Sequence, residues 1–447
     1  MQNKSPNKEL TGWRHSLAAY TDRRVLQVLA LGFSSGLPLL LTYSTLSAWL
    51  ATAGVKRAAI GAFALVGSAY ALKFLWSPLL DRLPPPIPLG RRRGWGITIQ
   101  IALVAAILAL GLADPKRNLT TMAALATLVA FLSASQDIVV DAWRIETLSI
   151  ELQGPGAGMY QTGYRIGMLV GGAGALAIAA RSGWFAAYAA MAALLGVGVL
   201  VFLFGPEPRV SGTLAVSGAS QEAQGFASWL STAVIGPFAD FMRRPFWLLI
   251  IFIIVDYKLG EGMTGVMSTP LYIALGFTLN EIAVVSKIFG FLAIVLGALL
   301  GGIVTVRFGL VRSMVLCGIL QAVGNLFFVL QAVGGHRVGY LALCVAAEQI
   351  TGGMAGTAFI AYISSLCSPA FTATQYALFA SLALLGRTII GSTGGALSEA
   401  IGWVPFFLLT TVASLPALLL LVWIDRRGAR QSDRARAVAS LAGERNL

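Results

Sequence analysis

The sequence is short of charge. Only 11% of its 447 residues are Asp, Glu, Lys or Arg, against about 25% in an ordinary soluble domain. Acidic residues are the scarcer kind, 19 against 32 Lys and Arg. With 57% hydrophobic residues, so few charges cannot cover a water-facing surface, which excludes a soluble multidomain protein despite the length. Histidine is nearly missing: His15 and His336 are the only two, both in polar segments. The three cysteines, Cys317, Cys344 and Cys367, show neither metal spacing nor a paired framework and read as small core residues, so no metal site is expected. No glycine loop follows a strand pattern with a Lys-Ser/Thr pair, which argues against a nucleotide-driven pump. No zinc-protease motif or serine nucleophile elbow is present, so neither an enzyme nor a cofactor is expected. The net charge of +13 comes without a stripe of arginines and interleaved aromatics, so nucleic acid is not an expected partner.

What the sequence does have is long apolar runs. A bilayer core needs about 20 apolar residues per helix. Twelve such runs are expected, at 24–50, 58–80, 95–113, 121–143, 157–181, 184–204, 245–274, 280–305, 312–333, 339–365, 372–397 and 402–424. The fold class is therefore an all-α polytopic membrane protein. Gly36 and Pro38 in the first run and Pro270 in the seventh are the candidate break points. The first 24 residues are polar and basic with no trusted cleavage pattern, so the first helix is expected to act as its own insertion signal. With both termini cytoplasmic, the inside segments hold roughly 21 Lys and Arg and the outside loops roughly 6. The basic balance is thus mostly a topology signal.

A Ser/Gly/Ala/Gln-rich stretch at 205–244 opens with Gly205-Pro206-Glu207-Pro208 and reads as a linker. It divides the chain into a cytoplasmic segment 1–23, a six-helix bundle 24–204, the linker, a second six-helix bundle 245–424 and a basic tail 425–447. Part of the linker, from Phe226 to Met242, has an amphipathic pattern with Trp229, Ile235 and Phe238 on one side. A weak internal repeat supports the division. Arg165 is followed by Gly171 to Gly174 and then Gly183-Trp184; Arg387 is followed by Gly391, Gly394-Gly395 and then Gly402-Trp403. Parallel six-helix repeats are the design of major facilitator transporters. Glycines spaced by four, at 163, 167 and 171 and at 32 and 36, are expected to let helices pack closely.

Ionisable groups within the runs are the functional candidates, because each costs about 2.5–3.5 kcal/mol at the bilayer centre. They are Lys73, Asp137, Asp141 and Arg165 in the first half, and Asp256, Lys258, Glu261, Lys287, Glu348 and Arg387 in the second. Runs 2, 4 and 5 carry Lys, Asp and Arg; runs 8, 10 and 11 carry Lys, Glu and Arg. From the helical rise, Lys73, Asp137 and Arg165 lie about 4–8 Å to the cytoplasmic side of centre, and Lys287, Glu348 and Arg387 about 4–8 Å to the outer side. Each half is thus expected to assemble one acidic–basic cluster on the substrate path; the bland alternative is a static ion pair between helices. Asp137 and Asp141 share a helix face with Arg144 nearby. Asp137 is expected to serve transport and Asp141 to anchor the helix end through Arg144. The stretch Asp256 to Gly265 suggests a locally unwound segment, with Lys258 and Glu261 spaced to pair.

Two loops carry a recognisable pattern. Gly302-Ile-Val-Thr-Val306-Arg307-Phe308-Gly309-Leu310-Val311-Arg312 resembles the major facilitator loop motif, with Val306 in place of its Asp. After the second run come Asp81-Arg82, a proline-rich insert and Arg91-Arg92-Arg93-Gly94-Trp95, where the acid is kept but the spacing departs. Leu31-Gly-Phe-Ser-Ser-Gly-Leu-Pro38, Leu75-Trp-Ser-Pro-Leu-Leu-Asp-Arg82, Ala134-Ser-Gln-Asp-Ile-Val-Val-Asp-Ala-Trp143, Gly163-Tyr-Arg-Ile-Gly-Met-Leu169, Tyr257-Lys-Leu-Gly260 and Thr372-Ala-Thr-Gln-Tyr-Ala-Leu378 together resemble the AmpG-type muropeptide permeases over residues 24–424. The resemblance implies a major facilitator fold. It also implies proton-driven import of N-acetylglucosaminyl-1,6-anhydro-N-acetylmuramic acid, with or without its peptide, across the bacterial inner membrane for cell-wall recycling. Siderophore permeases and acetyl-coenzyme A transporters are related and stand as alternatives. Some members carry two further C-terminal helices where this chain shows a basic tail, which leaves room for another cargo.

Under that resemblance Gln136, Asp137 and Asp141 match the family's polar set on the fourth helix. Lys73, Arg165, Lys258, Lys287 and Arg387 suit an anionic substrate, and Ser35, Gln136, Gln161, Tyr164, Gln349 and Gln375 its sugars, beside Asp137 and Glu348. Asp137, Asp256, Glu261 and Glu348 are the candidate proton carriers. Asp81, Arg82, Arg91, Arg92, Arg93, Asp141, Arg144, Arg307 and Arg312 are the candidate gate. The expected partners are a small sugar-peptide, protons and the lipid bilayer, with the protein a monomer.

Overall fold

The computed structural model describes residues 13–208 and 235–427, and no strand occurs among them. The expected apolar position at Trp229 and the basic tail from 428 onward lie outside the described residues. Nine helical stretches among the described residues are long and apolar enough to cross a membrane. They are α1 (Arg23–Thr52), α3 (Arg91–Leu112), α4 (Leu119–Thr147), the 55-residue run Ile150–Phe204, α8 (Asn280–Phe308), α9 (Leu310–Gly334), α10 (Val338–Ser365), α11 (Thr372–Ile401) and α12 (Trp403–Arg427). The long run is bent at Gly183, with φ 85° and ψ 168°, into α5 (150–182) and α6 (184–204). The two remaining segments where spans are expected are helical in pieces and are not among these nine stretches. α2 (57–82) consists of Arg57–Ala62, Ser68–Leu72 and Ser77–Arg82, joined by 3₁₀ turns. α7 (247–274) consists of Trp247–Asp256 and Leu259–Ala274.

The breaks do not fall where prolines suggested. α1 runs through Gly36 and Pro38 and is interrupted at Tyr43 instead. Pro270 likewise lies inside a continuous helix, and α7 breaks at Tyr257-Lys258, just before its glycines. A single proline removes one backbone hydrogen bond, which surrounding helices tolerate in a membrane span. Pro78 acts differently. It has no N–H for the Phe74 carbonyl, the chain tightens to 3₁₀ over Lys73–Leu75, and the Ser77 hydroxyl donates to Phe74 O at 3.0 Å. That irregular turn carries Lys73.

Helix ends are sealed by side chains. Asp22 caps α1, accepting from Arg24 N at 2.8 Å and from its guanidinium. The Arg24 hydrogen bond holds the Asp22 carboxyl below its usual pKa. Asn118 caps α4 through Thr121 N, and Gln153 donates to the carbonyls of Ile145 and Leu148 at that helix's other end. The repeat seen in the sequence has a backbone counterpart: Gly183 and Gly402 adopt φ 85° and 81°, and Gly90 and Gly309, opening α3 and α9, adopt 95° and 80°. All four turns need a left-handed residue, which glycine supplies without a Cβ clash.

The spaced glycines of α1 and α5 interlock with each other. A Cβ at Gly32 would lie 2.4 Å from the Tyr160 carbonyl oxygen, and at Gly36 2.0 Å from that of Tyr164. From the other side, Gly163, Gly167 and Gly171 face the carbonyls of Leu29, Phe33 and Leu37. Small residues thus let two backbones meet. In the second half, Gly297, Gly301 and Gly353 do the same between α8 and α10.

The two halves touch chiefly at the end where the described residues begin and end, the termini end. Gly154 and Gly158 of α5 abut Thr305 and Ala298 of α8. The Tyr20 hydroxyl, just before α1, donates to Leu299 O of α8 at 2.6 Å. Asp81 at the end of α2 reaches the start of α11. Toward the opposite end the halves part.

Candidate functional site

The parted region is a cleft made of adjoining cavities. One, of about 550 Å³, is lined by Leu39, Tyr43, Tyr70, Lys73, Asp137 and Tyr164, with Leu384 from α11. A second, of about 360 Å³, shares Lys73, Asp137 and Tyr164 and continues past Tyr160 to Phe359 and Tyr376. A third, of about 270 Å³, lies against the second half and holds Lys258, Glu261, Glu348, Gln349 and Arg387. Gln161 and Arg165 line both the second and the third. Cavities of a few hundred Å³ are the size of small-molecule sites.

The first charge cluster is built on α4. Residues 137 and 141 are one helical turn apart and face the irregular turn of α2. Lys73 Nζ lies 4.0 Å from Asp137 and 3.9 Å from Asp141. Arg144 pairs with Asp141 at 3.3 Å, and its guanidinium sits over the rings of Tyr160 and Tyr376. Asp141 therefore contacts Arg144, as its expected anchor role requires, and also shares Lys73 with Asp137. Asp137 Oδ1, Ser35 Oγ and the Tyr70 hydroxyl are buried without a hydrogen bond of normal geometry among the described residues.

The second cluster is centred on Glu261. Lys258 and Gln321 share its Oε2, the latter at 3.0 Å, and Arg387 lies 3.5 Å from Oε1. The break in α7 at Tyr257-Lys258 gives Lys258 the freedom to turn back on Glu261, and its ammonium also lies over the Phe359 ring. Glu348 accepts from the Gln349 amide at 3.0 Å. The expected partition of one cluster per half is not what the fold makes. Arg165 borders both clusters, sharing the second cavity with Lys73 and Asp137 and the third with Glu261 and Arg387, because it sits one turn beyond Gln161 on the α5 face that crosses between the halves. Gln161 itself donates to Thr357 of α10 at 3.0 Å. Lys287 lies in a π-helical stretch, Ala283–Phe289, and its side chain is outside the described residues.

Three other candidates are placed away from the cleft. Gln136 is buried and donates to Ser34, which also receives Gln100. Asp256 accepts from the Ala417 amide at 2.9 Å, supplying an acceptor near the Ser414 irregularity of α12, and lines no cavity of the cleft. Gln375 is buried near the termini end, bonded to Pro237 O, Asp240 and the Ser368 amide. Each supports backbone or a neighbouring helix; sequence alone ranked them by polarity and helix number.

At the termini end the first-half gate candidates form a dense network. Asp81 accepts from the Thr374 amide at 2.9 Å and hydroxyl at 2.8 Å, so a first-half carboxylate caps α11. Arg92, 1% exposed, bonds Asp81 at 2.7 Å and Glu146 at 2.5 Å. Arg91 bonds Glu146 at 3.1 Å, Arg82 lies over the Phe371 ring, and Arg93 donates to Phe202 O and Leu203 O at the end of α6. Glu146 and Glu207 were missed. α4 extends to Thr147 rather than 143, bringing Glu146 onto its charged face. Glu207, taken as linker, accepts from the amides of Arg92 and Arg93 and caps α3. In the second half, Arg312 is exposed beside Val306 and Asp425, and Arg307 is exposed nearby.

The family model of the Major Facilitator Superfamily matches residues 26–257 and 257–445. The anhydromuropeptide permease of Escherichia coli K12 is 42% identical over 408 residues, covering 91% of this chain and 80% of that protein. The chain belongs to the AmpG-type permeases of the major facilitator superfamily. The putative transporter AmpG 4 of Rickettsia conorii is 33% identical, over 91% of this chain and 98% of its own. Among solved structures, an E. coli fucose:proton symporter matches with TM-score 0.65 at 14% identity, covering 89% of this chain and 97% of that one. The human organic anion transporter MFSD10 matches with TM-score 0.61 at 16% identity, covering 92% and 99%. These share the fold. The chain is a multi-pass membrane transporter of the permease type.

Proposed function

We propose that this permease imports anhydromuropeptides, with or without the peptide, across the bacterial inner membrane by alternating access driven by protons. Twelve spans form two six-helix bundles, at 24–204 and 245–424, with both termini and the 205–244 linker cytoplasmic. It acts as a monomer and performs no chemistry on its cargo. The termini end is then the cytoplasmic face and the cleft opens outward, ready to load. The carrying observation is the cleft itself: it lies between the halves and combines cations, carboxylates and side-chain amides suited to an acidic sugar. The 42% identity to an anhydromuropeptide permease supports the cargo class. Asp137 is the proposed proton carrier, because its Lys73 partner is held at the edge of ion-pair distance and is shared with Asp141.

In proteoliposomes, labelled anhydro-disaccharide accumulates when an inward proton gradient is imposed. Asp137→Asn abolishes gradient-driven accumulation while leaving downhill exchange. Uptake of a ferric siderophore without uptake of the anhydro-disaccharide would falsify the cargo assignment, and unchanged accumulation by Asp137→Asn would reject the coupling role.

A further inference from the structure

The two ends of the cleft differ in chemistry. The end against the first half is aromatic and aliphatic: Tyr43, Tyr70 and Tyr164 with Leu39, Leu40 and Leu384. Among its lining residues the unbonded polar atoms are few, the Tyr70 hydroxyl and Asp137 Oδ1. Such a surface matches a sugar, whose apolar ring faces lie on aromatic rings while its hydroxyls meet a carboxylate and hydroxyls. The end against the second half has no leucine in its lining. It holds the cations Arg165, Lys258 and Arg387, the carboxylates Glu261 and Glu348, and side-chain amides. Both signs of charge side by side match a ligand that itself carries carboxylates and an amine, as a short acidic peptide does.

Between them stands Arg165. It lines the charged cavity and the middle cavity, which shares Lys73, Asp137 and Tyr164 with the tyrosine-lined one, and it forms no ion pair among the described residues. Glu261, by contrast, is already engaged by Lys258, Arg387 and Gln321. A guanidinium at the junction, with donors to spare, can bind a carboxylate or a carbonyl at the point where sugar passes into peptide.

We propose that the cleft is divided into two subsites. The tyrosine-lined end holds the anhydro-disaccharide, the Glu261–Arg387–Glu348 end holds the stem peptide, and Arg165 binds the acyl group that joins them. This rests on the anhydromuropeptide reading above. It explains how one permease accepts cargo with or without the peptide: the sugar end is complete by itself, and at the charged end Glu261 stays paired with Lys258 and Arg387 when no peptide enters. A peptide must displace Arg387 from Glu261, an exchange of one ion pair for another.

The test is a ratio of KM values measured on one preparation of each variant, so that loss of folded protein cancels. Uptake of labelled anhydro-disaccharide is compared with uptake of its tripeptide-bearing form. Arg387→Gln raises KM for the peptide-bearing form about tenfold more than for the peptide-free form, and Arg387→Lys restores part of the ratio. Tyr70→Ala raises both KM values by the same factor. Arg165→Gln raises both as well. If Arg387→Gln weakens both cargoes equally, or Tyr70→Ala acts on the peptide-bearing form alone, the division into subsites is wrong. If the wild-type protein carries neither cargo, the anhydromuropeptide reading has failed instead.

Discussion

Asp81 carries three jobs on one carboxylate. It caps α11, pairs with buried Arg92, and through Arg92 is tied to Glu146. Removing one partner of a buried pair costs about 3–5 kcal/mol, because the other charge is left uncompensated. Here the loss falls on the closed termini end and favours its opening. Asp81→Asn is therefore expected to raise the alkylation rate of Cys367, which lines a small cavity beside Arg91 and Glu146, several-fold with a cytoplasmic maleimide. Buried Cys317 and Cys344 serve as internal standards. Asp256 gives the opposite expectation. Its contact is a backbone amide of α12, so Asp256→Asn, which keeps an acceptor, retains gradient-driven uptake. Asp256→Ala leaves the buried Ala417 amide without it, and lowers stability by about 1–3 kcal/mol, read as a lower Tm in detergent. The residue types of the site were legible from the sequence, because an ionisable group in an apolar run is costly. Which of them meet was not. Arg165 and Asp256 look alike in the sequence, yet one faces the cleft and the other a neighbouring helix.

At the scale of the element, α5 is the helix on which the site depends. It carries Gln161, Tyr164 and Arg165, and its height is set by glycines locked against α1. Gly36→Ala places a Cβ 2.0 Å from a backbone oxygen that cannot rotate away. The expected result is separation of α1 and α5, at least about 2 kcal/mol of lost stability, and reduced uptake of every cargo, measured by Tm and initial rate. The second-half loop shows another device. Val306 stands where the loop motif has Asp, and the adjoining contact between α5 and α8 is made by glycines and by the Tyr20 hydroxyl on Leu299 O. Tyr20→Phe removes that bond at almost constant shape. It is expected to shift the conformational balance toward the cytoplasm-open form by about 1 kcal/mol, the worth of one hydrogen bond, seen as faster Cys367 labelling than in wild type. Existence and approximate length of the helices followed from hydropathy. Their breaks did not, because Pro38 and Pro270 are absorbed while Tyr43 and Lys258 mark interruptions that only packing imposes.

For the whole molecule, the arrangement of contacts defines a state: sealed at the termini end, open at the other. A cysteine at exposed Thr269, which lines the third cavity, is expected to react with an impermeant thiol reagent from the periplasmic side, and to be protected by peptide-bearing cargo. Labelling only from the cytoplasmic side would reverse the orientation. By itself the sequence determined the class: scarce charge and long apolar runs leave only a helical membrane protein, and its motifs point to the AmpG-type permeases. Those signals are local, being matters of composition and spacing along one chain. The tertiary structure alone decided that Arg165 borders both clusters, that Glu146 and Glu207 complete the charge network of Asp81 and the arginines, and that Asp256, Gln136 and Gln375 bond to backbone or neighbouring helices. Side chains hundreds of residues apart meet only when helices pack, and the direction a helix turns its polar face is set by its neighbours rather than by its own sequence.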